Sequence, residues 1–170
     1  MKKTFMLIFV LAFLGCVKIP QGIEPVKDFE ANRYLGKWYE IARLDHSFEK
    51  GLTKVTAEYL INKDGSIRVI NRGYDEKSGK WKDAESKAFF VKDNKTGFLK
   101  VSFFGPFYGS YVIFGLDKDE YQYSFVSGPD RGYLWLLSRT PGISNETKER
   151  FLTETSRLGF DTRKLIYVKQ

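Results

Sequence analysis

From Lys37 to Arg139 the chain repeats one pattern: short runs in which Val, Ile, Phe and Tyr alternate with polar residues, each closed by a turn signal. Alternation with a period of two sends successive side chains to opposite faces of a strand. A series of short strands at a spacing of roughly 8–12 residues is what an antiparallel sandwich or barrel requires. Eight strands are predicted, over Lys37–Leu44, Thr53–Ile61, Ser66–Tyr74, Trp81–Val91, Phe98–Phe104, Ser110–Leu116, Tyr121–Ser127 and Tyr133–Arg139. Lys63-Asp64-Gly65 and the stretch from Asp93 to Gly97 carry residues that tolerate positive φ or close an Asx turn, so hairpins are expected there. After Thr140-Pro141-Gly142 the period changes. Ser144 is placed to cap a helix over Asn145–Leu158, on which Phe151, Thr155 and Leu158 share one face. Lys164 to Val168 reads as a short final strand. The expected fold is all-β, with eight sequential antiparallel strands, a C-terminal α-helix and a late strand returning to the edge.

The N-terminus obeys different rules. Lys2 and Lys3 precede an apolar run from Phe5 to Leu14 and then a small residue, Gly15, the three regions of a secretory signal. The run is too short to span a bilayer, which needs about 20 apolar residues. The only cysteine, Cys16, follows at once. Cleavage before a cysteine resembles the bacterial lipoprotein pattern, in which that cysteine becomes the lipidated first residue. An unpaired thiol in an exported protein is a liability, and lipidation would remove it. Such lipoproteins tend to be retained in the inner membrane by an aspartate after the cysteine. Val17 stands there, so the resemblance implies the outer membrane, with the domain facing the periplasm. The expected organisation is a lipoprotein signal peptide over residues 1–15, a lipidated N-terminus and linker over 16–28, where Pro20, Gly22 and Pro25 break any periodicity, and one domain over 29–170.

Removing the signal leaves roughly 155 residues, enough for one domain with a buried core. With a single cysteine, packing alone must hold it together. The formal charge is +7, with acids close to most bases. This is a solvated surface that mildly favours anionic ligands or lipid head groups. No basic stripe with interleaved aromatics appears, so nucleic acid is not an expected partner. Aromatic residues make up 16% of the chain, which suits either a wide core or a lined cavity.

Several runs carry a family resemblance. Gly36-Lys37-Trp38-Tyr39-Glu40, after a short turn over Glu30 to Leu35, resembles the Gly-x-Trp signature that opens the first strand of lipocalins. Leu136-Leu137-Ser138-Arg139-Thr140-Pro141 resembles the family's third motif, about a hundred residues later. The second motif, usually Thr-Asp-Tyr, is reduced to Asp117 in Leu116-Asp117-Lys118. The runs Arg33 to Arg43, Phe103 to Gly109 and Gly128-Pro129-Asp130-Arg131 resemble the bacterial outer-membrane members of that family. The resemblance covers essentially the whole chain after the signal. It implies an eight-stranded antiparallel up-and-down β-barrel of the lipocalin (calycin) type.

A closed barrel removes edge strands, and eight strands enclose room for one small ligand or for packed side chains. Trp38 begins the first strand and Arg139 ends the eighth, so in up-and-down order both lie at one end. A guanidinium over an indole face is a cation–π contact worth about 0.5–2 kcal/mol. Gly36, Trp38 and Arg139 are therefore assigned to closing the barrel. The loops Asp45–Leu52, Asp75–Lys80, Gly105–Gly109 and Gly128–Gly132 then face the other, open end. They hold His46, Phe48, Phe107, Tyr108, Asp130 and Arg131, a rim suited to a greasy ligand or a membrane surface. Its aromatics also leave a homodimer open.

Alternation gives the interior. With Arg139 inward, Leu137, Trp135 and Tyr133 follow. Leu99, Val101 and Phe103 share a face in the fifth strand, Val55, Ala57, Tyr59 and Ile61 in the second, Ile67, Val69 and Asn71 in the third, and Ala84, Ser86, Ala88 and Phe90 in the fourth. The small residues of the fourth strand leave volume unfilled, so an apolar cavity with few polar groups is expected. The sixth and seventh strands have aromatics on both faces, and their phase stays open. The candidate ligand-contacting set is Tyr59, Val69, Asn71, Ala88, Phe90, Val101, Phe103, Tyr108, Tyr111, Phe125, Arg131 and Trp135, with ordinary core as the alternative for each. Such a cavity suits an acyl chain inserted tail first, each buried methylene contributing about 0.8 kcal/mol. The resemblance implies fatty acids or lysophospholipids as ligands, stored or moved in membrane maintenance. Tyr108, Arg131 and His46 would meet the head group. A haem or tetrapyrrole carrier with His46 as axial ligand is an alternative, as is a filled barrel serving as an interaction module. An enzyme is not expected, because a lone histidine without a nucleophile and acid partner assembles no triad. Nor does one histidine with no second cysteine offer a metal-binding spacing.

Overall fold

The computed structural model describes residues 17–170; Cys16, the apolar run before it and the side chains of Phe103 and Phe104 lie outside the described set. Its strands are β1 Gly36–Leu44, β2 Leu52–Ile61, β3 Ile67–Asp75, β4 Lys80–Phe90, β5 Phe98–Phe104, β6 Phe107–Leu116, β7 Tyr123–Ser127, β8 Leu134–Ser138 and β9 Leu165–Tyr167, with helices α1 Ala31–Tyr34 and α2 Asn145–Arg157. All eight predicted strands are present, and the late strand follows the helix. Each of β2 to β8 pairs antiparallel with its neighbour, and β1 pairs with both β2 and β8, closing an up-and-down barrel. Closure supplies partners along the ladder that an open sheet would leave exposed.

The chain's last residues complete one seam. β2 runs beside β1 only from Gly36 to Tyr39. A bulge between Thr53 and Thr56 then interrupts its ladder with β3, and Lys54 takes a positive φ of 50°. β9 fills the edge that β2 leaves, pairing with Ala42 to Leu44, and Val168 N–H donates to the Ile41 carbonyl. Where an added edge strand was expected, the segment thus sits in the gap between two barrel strands.

The end of the barrel where β1 starts is stopped by aromatic and guanidinium groups. The Arg139 guanidinium lies 3.8 Å from the Trp38 ring centroid and donates to the carbonyls of Lys37 at 3.0 Å and Arg33 at 2.6 Å. Trp38 is fully buried, and its indole N–H donates to the Tyr34 carbonyl of α1 at 2.8 Å. Gly36 has a φ of +90°, a conformation that strains any residue with a Cβ, which explains a glycine at the entrance to β1. Phe29 and Tyr121 pack below, with the Arg33 guanidinium 4.3 Å over Tyr121.

A second apolar core lies outside the barrel. Ser144 caps α2 by accepting the Thr147 N–H, and the helix buries Phe151 and Thr155 against the outer faces of β6 to β8 and β1, on Phe125, Phe114, Leu134, Leu136 and Ala42. Gly115 is required here, since a Cβ at that position would stand 2.3 Å from the Phe125 ring. Residues 17–28, expected as a linker, are laid along the barrel. Ile23 is buried in this outer core, Val26 N–H donates to the Ile113 carbonyl, and Gly97 N–H donates to that of Val26. Apolar residues at 17, 19, 23 and 26, too irregular in spacing to read as an element, explain the docking.

Arg139→Ala removes the cation–π contact and the bonds to Lys37 and Arg33, and is expected to cost about 2–3 kcal/mol of stability. Thermal unfolding should show a fall of roughly 4–12 °C, with ligand affinity unchanged at a temperature where the variant is folded.

Candidate ligand cavity

Inside the barrel the inward rows of β2 to β6 and β8 do not meet. They surround a cavity of about 420 Å3, within the range of sites for small ligands. Ser86 and Ala88 of β4 leave much of this space, with larger residues, Tyr59, Leu99, Tyr111 and Trp135, on the rest of the wall. One end is stopped by Trp38 and its neighbours. At the other, Phe48, Phe107, Tyr108 and Pro129 come from three of the four loops expected at the mouth. The fourth, between β3 and β4, contributes nothing to the lining. There β4 runs past its last pair with β5, Lys87 with Ser102, and Lys80 to Glu85 are exposed.

The expected residues divide accordingly. Tyr59, Val69, Asn71, Ala88, Val101, Tyr108, Tyr111 and Trp135 line the cavity. Phe103 is a position whose side chain lies outside the described residues. Phe90 turns to the closed end and packs on Phe29 with ring centroids 6.1 Å apart. Phe125 points out of the barrel into the α2 core, 5.0 Å from Phe151. In β7 it is Ser124 and Val126 that belong to the inner side, because β6 changes phase at a bulge between Ile113 and Gly115. Arg131 does not reach the mouth either. Its guanidinium donates to the carbonyls of Leu158 and Gln21, tying the seventh loop to the end of α2 and to the N-terminal segment. Ala84 and Ile61, expected inward, are exposed.

Polar groups missed by the sequence reading sit on the wall. Glu40 and Glu49 both line the cavity, and no Lys, Arg or His does so among the described residues. Glu40 Oε1 accepts from the buried Arg43 guanidinium at 2.7 Å. Glu49 Oε2 accepts from the Trp135 indole at 3.1 Å and lies 2.9 Å from His46 Nε2. Burial and the neighbouring Glu49 carboxylate push Glu40 well above the usual carboxylate range, against the pull of Arg43. His46 stacks on Phe48 at 3.9 Å and packs against Tyr133 and Trp135, behind the wall and outside the lining. Further down, the hydroxyls of Tyr59, Tyr111, Tyr34 and Ser124 form a chain with spacings of 2.6, 2.9 and 3.1 Å.

A barrel stopped by an arginine over a tryptophan, with an outer helix and an apolar interior, matches the lipocalin-like domain model over residues 29–170. The chain is a lipocalin. Over all 170 of its residues it is 56% identical to the outer membrane lipoprotein Blc of Vibrio cholerae, covering 99% of that protein. It is 54% identical to the outer membrane lipoprotein Blc of Escherichia coli K12 over 151 residues, 89% of this chain and 85% of that one. Among solved structures it resembles insecticyanin from the tobacco hornworm Manduca sexta, with a TM-score of 0.70, 22% identity and coverage of 90% and 87% of the two chains. That likeness is one of fold. Family and cavity together make this lipocalin a ligand-binding protein.

Two outcomes are expected of variants here. Phe125→Ala should lose about 3–5 kcal/mol in urea unfolding, the cost of emptying a core site, while cavity binding stays within a factor of about two, because the ring lies outside the barrel. For Glu40 the sign follows from proton counting. The unfolded chain releases this proton near the ordinary glutamate value of 4.5, whereas the folded protein holds it to higher pH. The folded state therefore binds more protons in between, and stability falls as pH rises through that window. Glu40→Gln should remove this component of the slope, measured as the difference in urea midpoint between the two proteins from pH 4 upward.

Proposed function

We propose that this lipocalin is a lipid-anchored outer-membrane protein that carries fatty acids or lysophospholipids in its barrel for storage or transport in membrane maintenance. The observation that carries the ligand class is the cavity: apolar over most of its wall, stopped at one end, and about 420 Å3 in volume. An acyl chain fits such a space tail first. Its methylenes each contribute about 0.8 kcal/mol on leaving water, which for a long chain exceeds the ordering cost of association. The acidic wall supports the same polarity, since a carboxylate or phosphate head would meet Glu40 and Glu49 unpaired if it entered first, whereas at the mouth it stays in water.

The names of the 54–56% identical relatives, outer membrane lipoproteins, support lipidation of Cys16 after removal of residues 1–15. Val17 in the following position supports the outer membrane, with the barrel on its periplasmic side. Mass spectrometry of the membrane fraction should find a diacylglyceryl and acyl adduct on Cys16, lost together with membrane association in Cys16→Ser.

The ligand reading is tested on residues 17–170, which hold the whole barrel, helix and docked N-terminal segment. Stripped of lipid and titrated with palmitate and with lysophosphatidylcholine, this protein should bind each at one saturable site, read by calorimetry and by the fluorescence of Trp135 in the wall. Ala88→Phe, which places a ring in the cavity, should weaken both about tenfold or more while thermal unfolding remains cooperative. A folded protein that binds neither lipid would end this reading.

A further inference from the structure

At the floor of the cavity, hydroxyl protons outnumber the hydrogen bonds that join them. Tyr59, Tyr111, Tyr34 and Ser124 bring four hydroxyls joined by three bonds. Each hydroxyl has one proton to give, so one proton is left over however the chain is directed. Burial pushes Tyr34 up to about 12 and holds Tyr59 and Tyr111 well above their ordinary value, which keeps every proton in place at neutral pH. If the spare proton fell on Ser124 or Tyr34, it would be sealed in a buried site with no further acceptor among the described residues, the costly arrangement for a donor. If it falls on Tyr59 or Tyr111, it faces the cavity that both residues line. The chain is therefore directed from Ser124 toward the cavity, and a free O–H points into the ligand's space.

A second donor stands in the same ladder row as Tyr59. Tyr59 faces Val69 across the β2–β3 ladder, and Val69 faces Ser86 across the β3–β4 ladder. All three side chains point inward in one row, so Ser86 stands two strands from Tyr59, roughly 10 Å away. Ser86 is 5% exposed, lines the cavity, and its Oγ has no hydrogen-bond partner among the described residues. An apolar methyl terminus lying here would leave both donors unanswered. An oxygen would satisfy at least one.

We propose that the floor of the cavity is a hydrogen-bond donor site for a neutral oxygen, a hydroxyl or carbonyl, at the buried end of a single-chain lipid. The class of ligand favoured is thus an acyl chain oxygenated near its far terminus. A carboxylate is disfavoured there because no Lys, Arg or His lines the cavity among the described residues, and a buried anion needs a cation or several donors. This inference rests on the lipid-carrier reading and adds to it what the inner end of the ligand carries.

The experiment compares palmitate with 16-hydroxypalmitate, which places a hydroxyl at the far end of the same chain, on lipid-free residues 17–170 by calorimetry. In a merely apolar pocket the buried hydroxyl should weaken binding by tenfold or more. With the donor site in place, 16-hydroxypalmitate should bind within about threefold of palmitate or tighter. In Tyr59→Phe/Tyr111→Phe, which removes both cavity-facing phenols, the hydroxy acid should lose about tenfold more than palmitate does. Ser86→Ala, a change too small to endanger the barrel, should take about threefold from the hydroxy acid alone. Rejection of 16-hydroxypalmitate by a protein that binds palmitate overturns the donor site and leaves the carrier reading standing, and equal losses for the two ligands in the variants do the same. Failure of the folded protein to bind either acid overturns both.

Discussion

Arg139 joins three parts of the chain at one point. It comes from the end of β8, lies over Trp38 of β1, and donates to the carbonyls of Arg33 in α1 and Lys37. A barrel of eight strands has two openings, and only when one is stopped does its interior become a vessel with a floor. The residues that stop it are costly to replace: a fully buried indole, a glycine held at positive φ, and a guanidinium whose donors are spent on backbone carbonyls. Everything attributed to the cavity depends on this stopper, because an apolar tube open at both ends would fill with water or collapse. The tyrosine chain at the floor is built against it, Tyr34 packing on Trp38 with ring centroids 4.8 Å apart.

The wall above that floor combines two tendencies. Most of it is apolar, as burial of an acyl chain requires. Yet two carboxyls, a buried arginine and a histidine are gathered on one side, near the loop that follows β1. Arg43 also donates to the carbonyl of Glu49, so this cluster anchors the loop carrying Phe48 to the barrel. Its electrostatic effect on an incoming ligand is a by-product of that anchoring: the wall presents acids and no cation among the described residues, so the head of an anionic lipid finds no partner inside and stays in water. Orientation of the ligand thereby follows from how one loop is fastened.

Much of this was legible in the chain, and the failures have physical causes. Alternation is reliable where one face is polar, so β2, β3 and β5 were read in their correct phase, and the small residues of β4 correctly announced a void at Ser86 and Ala88. Arg139 and Trp38 were placed together because up-and-down order leaves no other choice. Phe125 was misplaced because β7 is apolar on both faces: its outer side is covered by α2, and a bulge in β6 alters the phase beside it. Arg131 was misread because an exposed cation in a mouth loop says nothing about backbone carbonyls arriving from Gln21 and Leu158. Glu40 could have been found, since it lies two residues after Trp38 on the same face. The expectation of an apolar cavity with few polar groups did not extend to the first strand, and the partner of Glu40, Arg43, lies beyond a bulge at Glu40 to Ala42 that breaks the count of two.

The two apolar clusters stand on opposite faces of the same sheet. One, around Phe125, Phe151, Leu134 and Leu136, is packed between barrel and helix and never meets a ligand. The other surrounds a space that is partly empty. The outer cluster thus contributes to folding alone, whereas the inner one both closes the barrel around Trp38 and lines the ligand's space, with the backbone of β6 to β8 as the partition. Substitutions on either side couple weakly when they share no contacts. A barrel divided in this way can change what it holds, residue by residue along the inner wall, while the outer packing keeps it folded, which gives the lineage freedom to acquire new ligands.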